Sequence, residues 1–324
     1  MLRARRHRHG HVSNHAILHR RHHLTPILAV KLYPLLVQTH VAFLVHIHVQ
    51  VVQVVTTLYF DFIDMKTETD QKADIKPLNT IPSIQIKNLS YYYKGKGIHA
   101  LRNINLSIEE NSLIAFIGEN GSGKTTLIKI LSAMYNDYEG DVYFGKQSLC
   151  DLDPDDIRKK IGILFQDFVK YELPARENVA LGQLEKIQDD VAISQALQRT
   201  GMDEKIADLE SQLGFWFDNG VQLSGGEWLR VALSRAFIRD AELYLLDEPN
   251  SALDPNTERQ ILKSFKDLTK GKIGIIVSHR ISSIKNVVDK IIVFENGSIQ
   301  ASGTHDELLK TSEAYRRLYE LENE

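Results

Sequence analysis

The segment that most constrains the fold of this chain is "LIAFIGENGSGKTTLIKIL", residues 113–131. It matches the pattern G-x-x-x-x-G-K-[ST] through Gly118, Gly123, Lys124 and Thr125. An apolar run precedes the loop and an amphipathic run follows it, which is the strand–loop–helix context that the pattern requires. Glycines let the backbone wrap tightly, so that amides and a helix N-terminus point at a phosphate. The segment therefore predicts a phosphate-binding loop between a strand and a helix.

The side chains of this loop predict a nucleotide site. We expect Lys124 to neutralise β- and γ-phosphate oxygens and the Thr125 hydroxyl to ligate Mg²⁺. The other loop residues assigned to the nucleotide are Glu119, Asn120, Gly121, Ser122 and Thr126.

A phosphate loop of this kind needs a second, acidic site for the metal. The run "LYLLDEP" supplies it, because Asp247 ends an apolar stretch and can hold Mg²⁺ through water. Glu248 follows directly, in the place of a base for an attacking water. Two acids could also merely end a strand and begin a loop, but their occurrence in the same chain as a phosphate loop favours the catalytic interpretation.

Alternating apolar and helical patterns determine the expected fold class. "SLIAFIG", "ELYLLDEP" and "KIGIIVSH" are typical of short buried strands, and helical stretches separate them. This alternation predicts an α/β domain with a parallel sheet that helices cover on both faces. "IQIKNLSYYY" alternates like an edge strand, and Asn296-Gly297 between strand-like runs predicts a hairpin.

Charge and cysteine content exclude some function classes. The chain has a net charge of −3, but residues 1–60 hold seven basic and no acidic side chains, so that the rest carries −10. This acidic balance argues against nucleic acid as a partner. The single cysteine, Cys150, excludes an internal disulfide and fits a reducing compartment.

The first 60 residues differ from the rest of the chain. Ten of the 13 histidines fall within the first 48 residues, in a tract that we interpret as a solvated basic tail. Metal binding and an aberrant reading frame are the alternatives. Residues 32–60 lack formally charged side chains and are long enough to span a membrane, although Pro34 and the interspersed His and Gln weaken that interpretation. Residues 61–83 predict a linker, and residues 84–324 a folded domain.

Several separate motifs of residues 84–324 occur in one order and together resemble the nucleotide-binding domain of an ABC transporter ATPase. "LSGGE" (residues 223–227) is similar to the ABC signature, with Glu227 where Gln is more usual. "ILFQDF" places Gln166 at the Q-loop position, and "IVSHR" places His279 at the switch-histidine position.

Two further motifs extend this resemblance. "SALD" (residues 251–254) matches the D-loop that follows the acidic pair in the family. "LSYYYKG" places Tyr93 where the family stacks an aromatic ring on adenine, with Tyr91 and Tyr92 as neighbouring alternatives.

The resemblance implies a P-loop NTPase fold with a mostly parallel sheet core, an antiparallel β subdomain and an α-helical signature subdomain. It also implies a homodimer of such domains, packed head-to-tail with ATP between them. Ser224 and the amides of Gly225 and Gly226 would bind the γ-phosphate of ATP that the other copy holds.

The resemblance also implies roles for residues within one copy. Glu248 would position or deprotonate water, and His279 would hold the γ-phosphate and the water in line. Gln166 would ligate or sense the metal and pass closure of the site to a membrane domain.

Within the family, the exporter type fits best. "LYFDFIDMKTE" and "GTHDELL" are exporter-like, and "FWFDNGVQLSGGEW" resembles bacterial peptide and lantibiotic-type exporters. This implies ATP-driven export, a transmembrane domain as partner and a location at the cytoplasmic face of the cell membrane. Residues 1–60 do not resemble an exporter's transmembrane helices, so we expect a truncated half-transporter. A soluble ATPase subunit of a multi-polypeptide transporter and a non-transporting remnant are the alternatives.

Overall fold

A computed structural model describes residues 75–94, 97–215, 220–249 and 253–323. The histidine-rich tail and the apolar segment 32–60 lie outside these residues, and so do Ser251 and Ala252 of the expected D-loop. The division of the chain at residues 60 and 83 stays a prediction. No helix among the described residues is long and apolar enough to cross a membrane.

The strands are β1 (Ser83–Tyr93), β2 (Ile98–Glu109), β3 (Leu113–Ile117), β4 (Glu139–Phe144), β5 (Gln147–Ser148), β6 (Ile161–Leu164), β7 (Leu243–Asp247), β8 (Ile273–Val277), β9 (Lys290–Glu295) and β10 (Ser298–Gly303). The helices are α1 (Lys124–Leu131), α2 (Pro154–Lys159), α3 (Ala175–Ala180), α4 (Asp190–Arg199), α5 (Gly225–Phe237), α6 (Pro255–Leu268), α7 (Ile281–Ile284), α8 (His305–Thr311) and α9 (Glu313–Asn323).

A six-stranded sheet forms the centre of the domain, in the order β10-β9-β3-β8-β7-β6. All its neighbouring pairs run parallel except β9 and β10. Every residue of β3, β7 and β8 is buried, because both faces of a parallel sheet are covered and its strands are continuously apolar. The three predicted buried strands are confirmed, and the loops that follow them meet at one edge of the sheet.

A second, antiparallel sheet has the order β2-β1-β4-β5. The expectation that β1 is an edge strand is wrong, because it pairs with β2 on one side and with β4 on the other. Alternation reports only that one face of a strand is solvated, and an interior strand of an antiparallel sheet meets that condition too. Within the predicted linker 61–83, Leu78 and Ile81 are buried in the core of the domain.

Helices α3, α4 and α5 pack together into a separate helical layer with its own apolar cluster. Helix α5 contributes to two cores. Its Trp228 and Val231 pack within the helical layer, whereas Leu229 and Leu233 pack against the parallel sheet. The predicted fold class, with a mostly parallel core, an antiparallel β subdomain and an α-helical subdomain, is confirmed.

The predicted hairpin at Asn296-Gly297 joins β9 to β10. Both residues have positive φ values, 49° and 79°, as a type I′ turn requires. The turn does more than reverse the chain. The Gly297 amide donates to the carbonyl oxygen of Ser122 in the phosphate loop at 3.2 Å, and the Gly297 carbonyl accepts from the Arg102 amide at 2.7 Å.

Candidate nucleotide-binding and catalytic site

The predicted phosphate loop lies between β3 and α1, packed tightly against neighbouring backbone. Gly118 has φ 146° and Gly123 has φ 105°. A Cβ atom on Gly118 would lie 2.1 Å from the Phe294 carbonyl oxygen, and one on Gly123 would lie 2.6 Å from the Ala100 carbonyl oxygen. These two glycines therefore let the loop lie directly against β9 and β2, as the sequence pattern requires.

The loop presents an open tip above a buried base. Glu119, Asn120 and Gly121 are exposed at the tip. Ser122 and Thr126 are buried beneath it. Gly123, the N-cap of α1, supplies no side-chain cap to the helix, so the positive end of the helix faces the cradle that a phosphate would fill.

Lys124 is buried and reaches back onto its own loop. Its ammonium group donates to the carbonyl oxygens of Gly118 at 2.8 Å and Glu119 at 2.9 Å, and to Ser122 Oγ at 3.2 Å. Burial lowers the pKa of Lys124 to about 8, and the neighbouring Glu248 carboxylate opposes this shift in part. The Lys124 ammonium group thus lies at the phosphate cradle and loses its proton at a lower pH than an ordinary lysine does.

Nucleotide affinity should consequently fall as the pH rises above about 8, the pKa of Lys124 in the free protein. Phosphate groups favour the ammonium form, so the complex keeps the proton that the free protein loses. Binding then requires proton uptake, and the dissociation constant should rise by up to about tenfold per pH unit. Calorimetric titration with ATP from pH 7.5 to 9 checks this. In a Lys124→Arg variant, whatever ATP affinity remains should not change with pH over this range. An ATP affinity of the wild type that does not change with pH would contradict the prediction.

Asp247 ends β7 and is completely buried. Neither of its carboxylate oxygens has a hydrogen-bond partner among the described residues. Burial raises the pKa of Asp247. The nearby Thr125 hydroxyl lowers this pKa in part, although the two groups do not form a hydrogen bond of normal geometry. An orphaned buried carboxylate is unfavourable by itself. With the Thr125 hydroxyl it forms the hard oxygen donor set that Mg²⁺ prefers, so these residues fit the predicted metal.

Three of the predicted catalytic residues are in direct contact. The Glu248 carboxylate lies between His279, whose Nε2 is 2.5 Å from Oε1, and Gln166, whose Nε2 donates to Oε2 at 2.9 Å. Glu248 has φ 53°, an unusual value for a non-glycine residue that is typical of functional sites. Glu248 follows β7, His279 follows β8 and Gln166 follows β6. The sheet therefore brings together Gln166 and Glu248, which are 82 positions apart in the chain.

Tyr93 ends β1 beside the start of α1. Its hydroxyl is 3.1 Å from Thr126 Oγ1, which places the ring next to the phosphate loop. Tyr91 stacks instead on Tyr135, with ring centroids 5.1 Å apart and planes 2° from parallel, and Tyr92 is exposed beside His99. Of the three tyrosines that the sequence left as candidates, Tyr93 is the one bonded to the loop helix.

The signature loop lies at the surface of the helical layer. Ser224 and Gly225 are exposed, and Gly226 is half-buried. Ser224 is the N-cap of α5 in a capping box, in which the Ser224 amide donates to Glu227 Oε2 at 2.7 Å and the Glu227 amide to Ser224 Oγ at 3.3 Å. The sequence identified Glu227 only as a departure from the usual Gln. Either residue completes a capping box, so the departure preserves a rigid helix start.

The structure thus separates the predicted residues into two groups. The phosphate loop, the acidic pair, Gln166 and His279 meet at one edge of the parallel sheet. The signature residues belong to α5, which packs mainly against α3, α4 and β6. Sequence reasoning missed the contact of Gly297 with the loop. The Asn-Gly pair signalled a turn, but nothing in it signalled the neighbour.

Comparisons with known proteins identify the kind of domain that carries this candidate site. Residues 101–251 match the family model described as "ABC transporter". The chain is 40% identical over 268 residues to the subtilin transport ATP-binding protein of Bacillus subtilis, which covers 82% of this chain and 44% of that protein. It is 38% identical over 266 residues to the nisin transport ATP-binding protein of Lactococcus lactis subsp. lactis, covering 80% of this chain and 44% of that protein.

The fold also matches a solved structure, that of a bacterial Atm1-family ABC exporter with ATP bound. The TM-score is 0.74 at 25% sequence identity, and the match covers 83% of this chain and 47% of that one. The chain spans less than half the length of the curated relatives that it matches. The motifs in their order, the contacts at the sheet edge and these similarities agree, and residues 101–251 therefore form an ATP-binding domain of the ABC transporter family.

Proposed function

We propose that this chain binds Mg²⁺ and ATP and hydrolyses ATP to power export across a membrane. The observation that carries the proposal is the Glu248 carboxylate held between Gln166 and His279 at the sheet edge that also bears the phosphate loop. The relatives named as transport ATP-binding proteins for subtilin and nisin support export as the coupled process.

The residues divide the work of binding. Lys124 and the amides of residues 118–126 hold the phosphates, and Tyr93 stacks on the adenine ring. Thr125, Asp247 and Gln166 hold Mg²⁺, with Asp247 acting directly or through water. Bound Mg²⁺ would neutralise charge on the β- and γ-phosphate oxygens. The orphaned oxygens of Asp247 and the carbonyl oxygen of the Gln166 amide are the donors that this assignment uses.

Hydrolysis requires the contacts of Glu248 to change. One carboxylate oxygen accepts from Gln166 and the other lies against His279. Each oxygen keeps a second lone pair that can accept the proton of an attacking water, but His279 Nε2 must leave Glu248 to reach the γ-phosphate. The water oxygen then forms a bond to the γ-phosphorus, the bond to the ADP oxygen breaks, and Glu248 accepts the water proton. His279, released from Glu248, donates to a γ-phosphate oxygen and keeps the attack in line.

One protein partner in this mechanism is another copy of the domain. Ser224 and Gly225 are exposed on a rigid, capped helix whose main packing partners do not include α1. We infer that the signature loop of one copy completes the γ-phosphate site of the other, head-to-tail.

The other protein partner is a transmembrane domain, which would place this chain at the cytoplasmic face of the membrane. The segment after Gln166 carries apolar side chains at the surface, with Val169 54% and Tyr171 39% exposed, and Met134 beside them is 52% exposed. These residues line one cavity. Because Gln166 touches Glu248, a domain seated there would be linked directly to the catalytic carboxylate.

A mixing experiment tests the composite site. Lys124→Ala damages the phosphate loop and Ser224→Arg blocks the signature loop, so each full-length variant alone should lack Mg²⁺-dependent ATP turnover. Random mixing of equal amounts should restore about a quarter of the wild-type rate, since half of the dimers then contain one intact site out of two. Phosphate release is measured at several protein concentrations, because dimerisation limits the rate. A mixture that stays inactive while wild-type protein turns over would contradict the head-to-tail arrangement.

A further inference from the structure

The C-terminal helix reaches the loop that carries His279. The short helix α7 begins two residues after His279, and its N-cap residue, Arg280, supplies no side-chain cap. The cap comes from Glu322 in α9 instead. The Glu322 carboxylate accepts from the Ile281 amide at 2.5 Å, from the Ser282 amide at 3.1 Å and from the Ser282 hydroxyl.

Helix α9 is itself fixed to the body of the domain, so this carboxylate is held in place. Tyr315 is fully buried, and its hydroxyl lies 2.6 Å from Nδ1 of His305. Arg317 forms an ion pair with Glu295 of β9, and Lys285 Nζ, at the C-cap of α7 itself, donates to the Tyr319 hydroxyl at 3.0 Å. A helix held by a buried ring, a hydrogen bond and an ion pair presents Glu322 at a defined position.

The Glu322 contacts act on a very short stretch of chain. Strand β8 ends at Val277, and Ile281 is buried, so His279 lies between two fixed points. Arg280 is held by its ion pair with the buried Glu258 at 2.9 Å. A shift at the start of α7 would therefore move His279 relative to Glu248, from which its Nε2 is 2.5 Å away. Displacements of about 1 Å in catalytic groups are costly.

We propose that Glu322 is a positioning residue for ATP hydrolysis, which acts through the N-terminus of α7 to set the place of His279. The proposal rests on the proposed function, since it concerns the same reaction. It makes the last turn of the C-terminal helix part of the ATPase centre, although that turn touches neither the phosphate loop nor the acidic pair among the described contacts.

The test compares full-length Glu322→Ala with Glu320→Ala, which removes an exposed carboxylate from the same helix. Glu322→Ala should lower kcat about ten- to a hundredfold and leave the ATP dissociation constant within about twofold. Glu322→Gln keeps one acceptor oxygen and should recover part of the rate. Glu320→Ala should match the wild type.

A double-mutant cycle separates positioning from general stability. In a His279→Ala background, Glu322→Ala should cause no further loss of single-turnover rate, because the group that it positions is absent. A further loss equal to that in the wild-type background would overturn the proposal, as would an unchanged kcat in Glu322→Ala.

Amide hydrogen exchange supplies a readout that does not depend on turnover. Exchange at Ile281 and Ser282 should accelerate in Glu322→Ala and not in Glu320→Ala, and unchanged exchange would overturn the cap itself. Wild-type protein that bound ATP without hydrolysing it would overturn the proposed function, whereas active wild-type protein with an unaffected Glu322→Ala variant would overturn only the positioning role.

Discussion

Glu248→Gln should slow ATP turnover severely without weakening ATP binding. Glutamine has the shape of glutamate but cannot accept the proton of an attacking water, so the rate should fall by roughly 10²–10³-fold. The phosphate loop and Asp247 are untouched by the change. ATP should therefore still bind, and because hydrolysis no longer destroys the ligand that lies between two copies, dimers should accumulate.

Two measurements check this prediction on the full chain. Phosphate release gives the rate, and light scattering with and without Mg²⁺ and ATP gives the dimer population. Glu110→Gln, which neutralises an exposed carboxylate in a turn, is the matched control and should behave like the wild type. Wild-type hydrolysis by Glu248→Gln would show that another group takes the water proton.

Gly118→Ala should destabilise the domain far more than Gly121→Ala, although both change a glycine of one loop. A Cβ atom on Gly118 would meet the Phe294 carbonyl oxygen at 2.1 Å, whereas one on Gly121 meets nothing within 4 Å. Both positions have positive φ values, 146° and 79°, so both substitutions carry backbone strain. Only Gly118→Ala adds a backbone clash, which either pushes the loop away from β9 or unfolds it.

Strain alone at Gly121 should cost about 1–2 kcal/mol, and the clash at Gly118 should bring the cost above about 4 kcal/mol. Urea denaturation without nucleotide compares the two variants. ATP binding should be lost in Gly118→Ala and retained in Gly121→Ala. Equal losses of stability would show that φ, and not the contact with β9, accounts for the glycine at position 118.

Much of the candidate site could be predicted because its residues occur in motifs with local structural causes. Gly118 and Gly123 predict a tight loop, and the apolar run before Asp247 predicts that this residue ends a strand. Residues that follow neighbouring parallel strands are brought to one edge of the sheet. For this reason the meeting of Glu248 with His279, which follow two of the predicted strands, could be expected, whereas Gln166 was assigned to this site only through the family resemblance.

Other parts of the fold could not be predicted from local patterns. The alternation in "IQIKNLSYYY" reported one solvated face, and it could not tell an interior strand from an edge strand because both have that face. The three tyrosines of β1 share one chemistry. Which of them contacts Thr126 depends on how the two sheets pack.

The sequence by itself determined the phosphate loop, the acidic pair, the order of the motifs and the class of fold, because each depends on residues close together in the chain. Only the tertiary structure decided which partners hold those motifs in place. Gly297 supports the loop, and Glu322 caps the helix after His279 from 41 and 40 positions away, at Ile281 and Ser282. Such contacts arise from packing between distant elements, and a carboxylate near the end of a chain carries no local sign of the amides that it will meet.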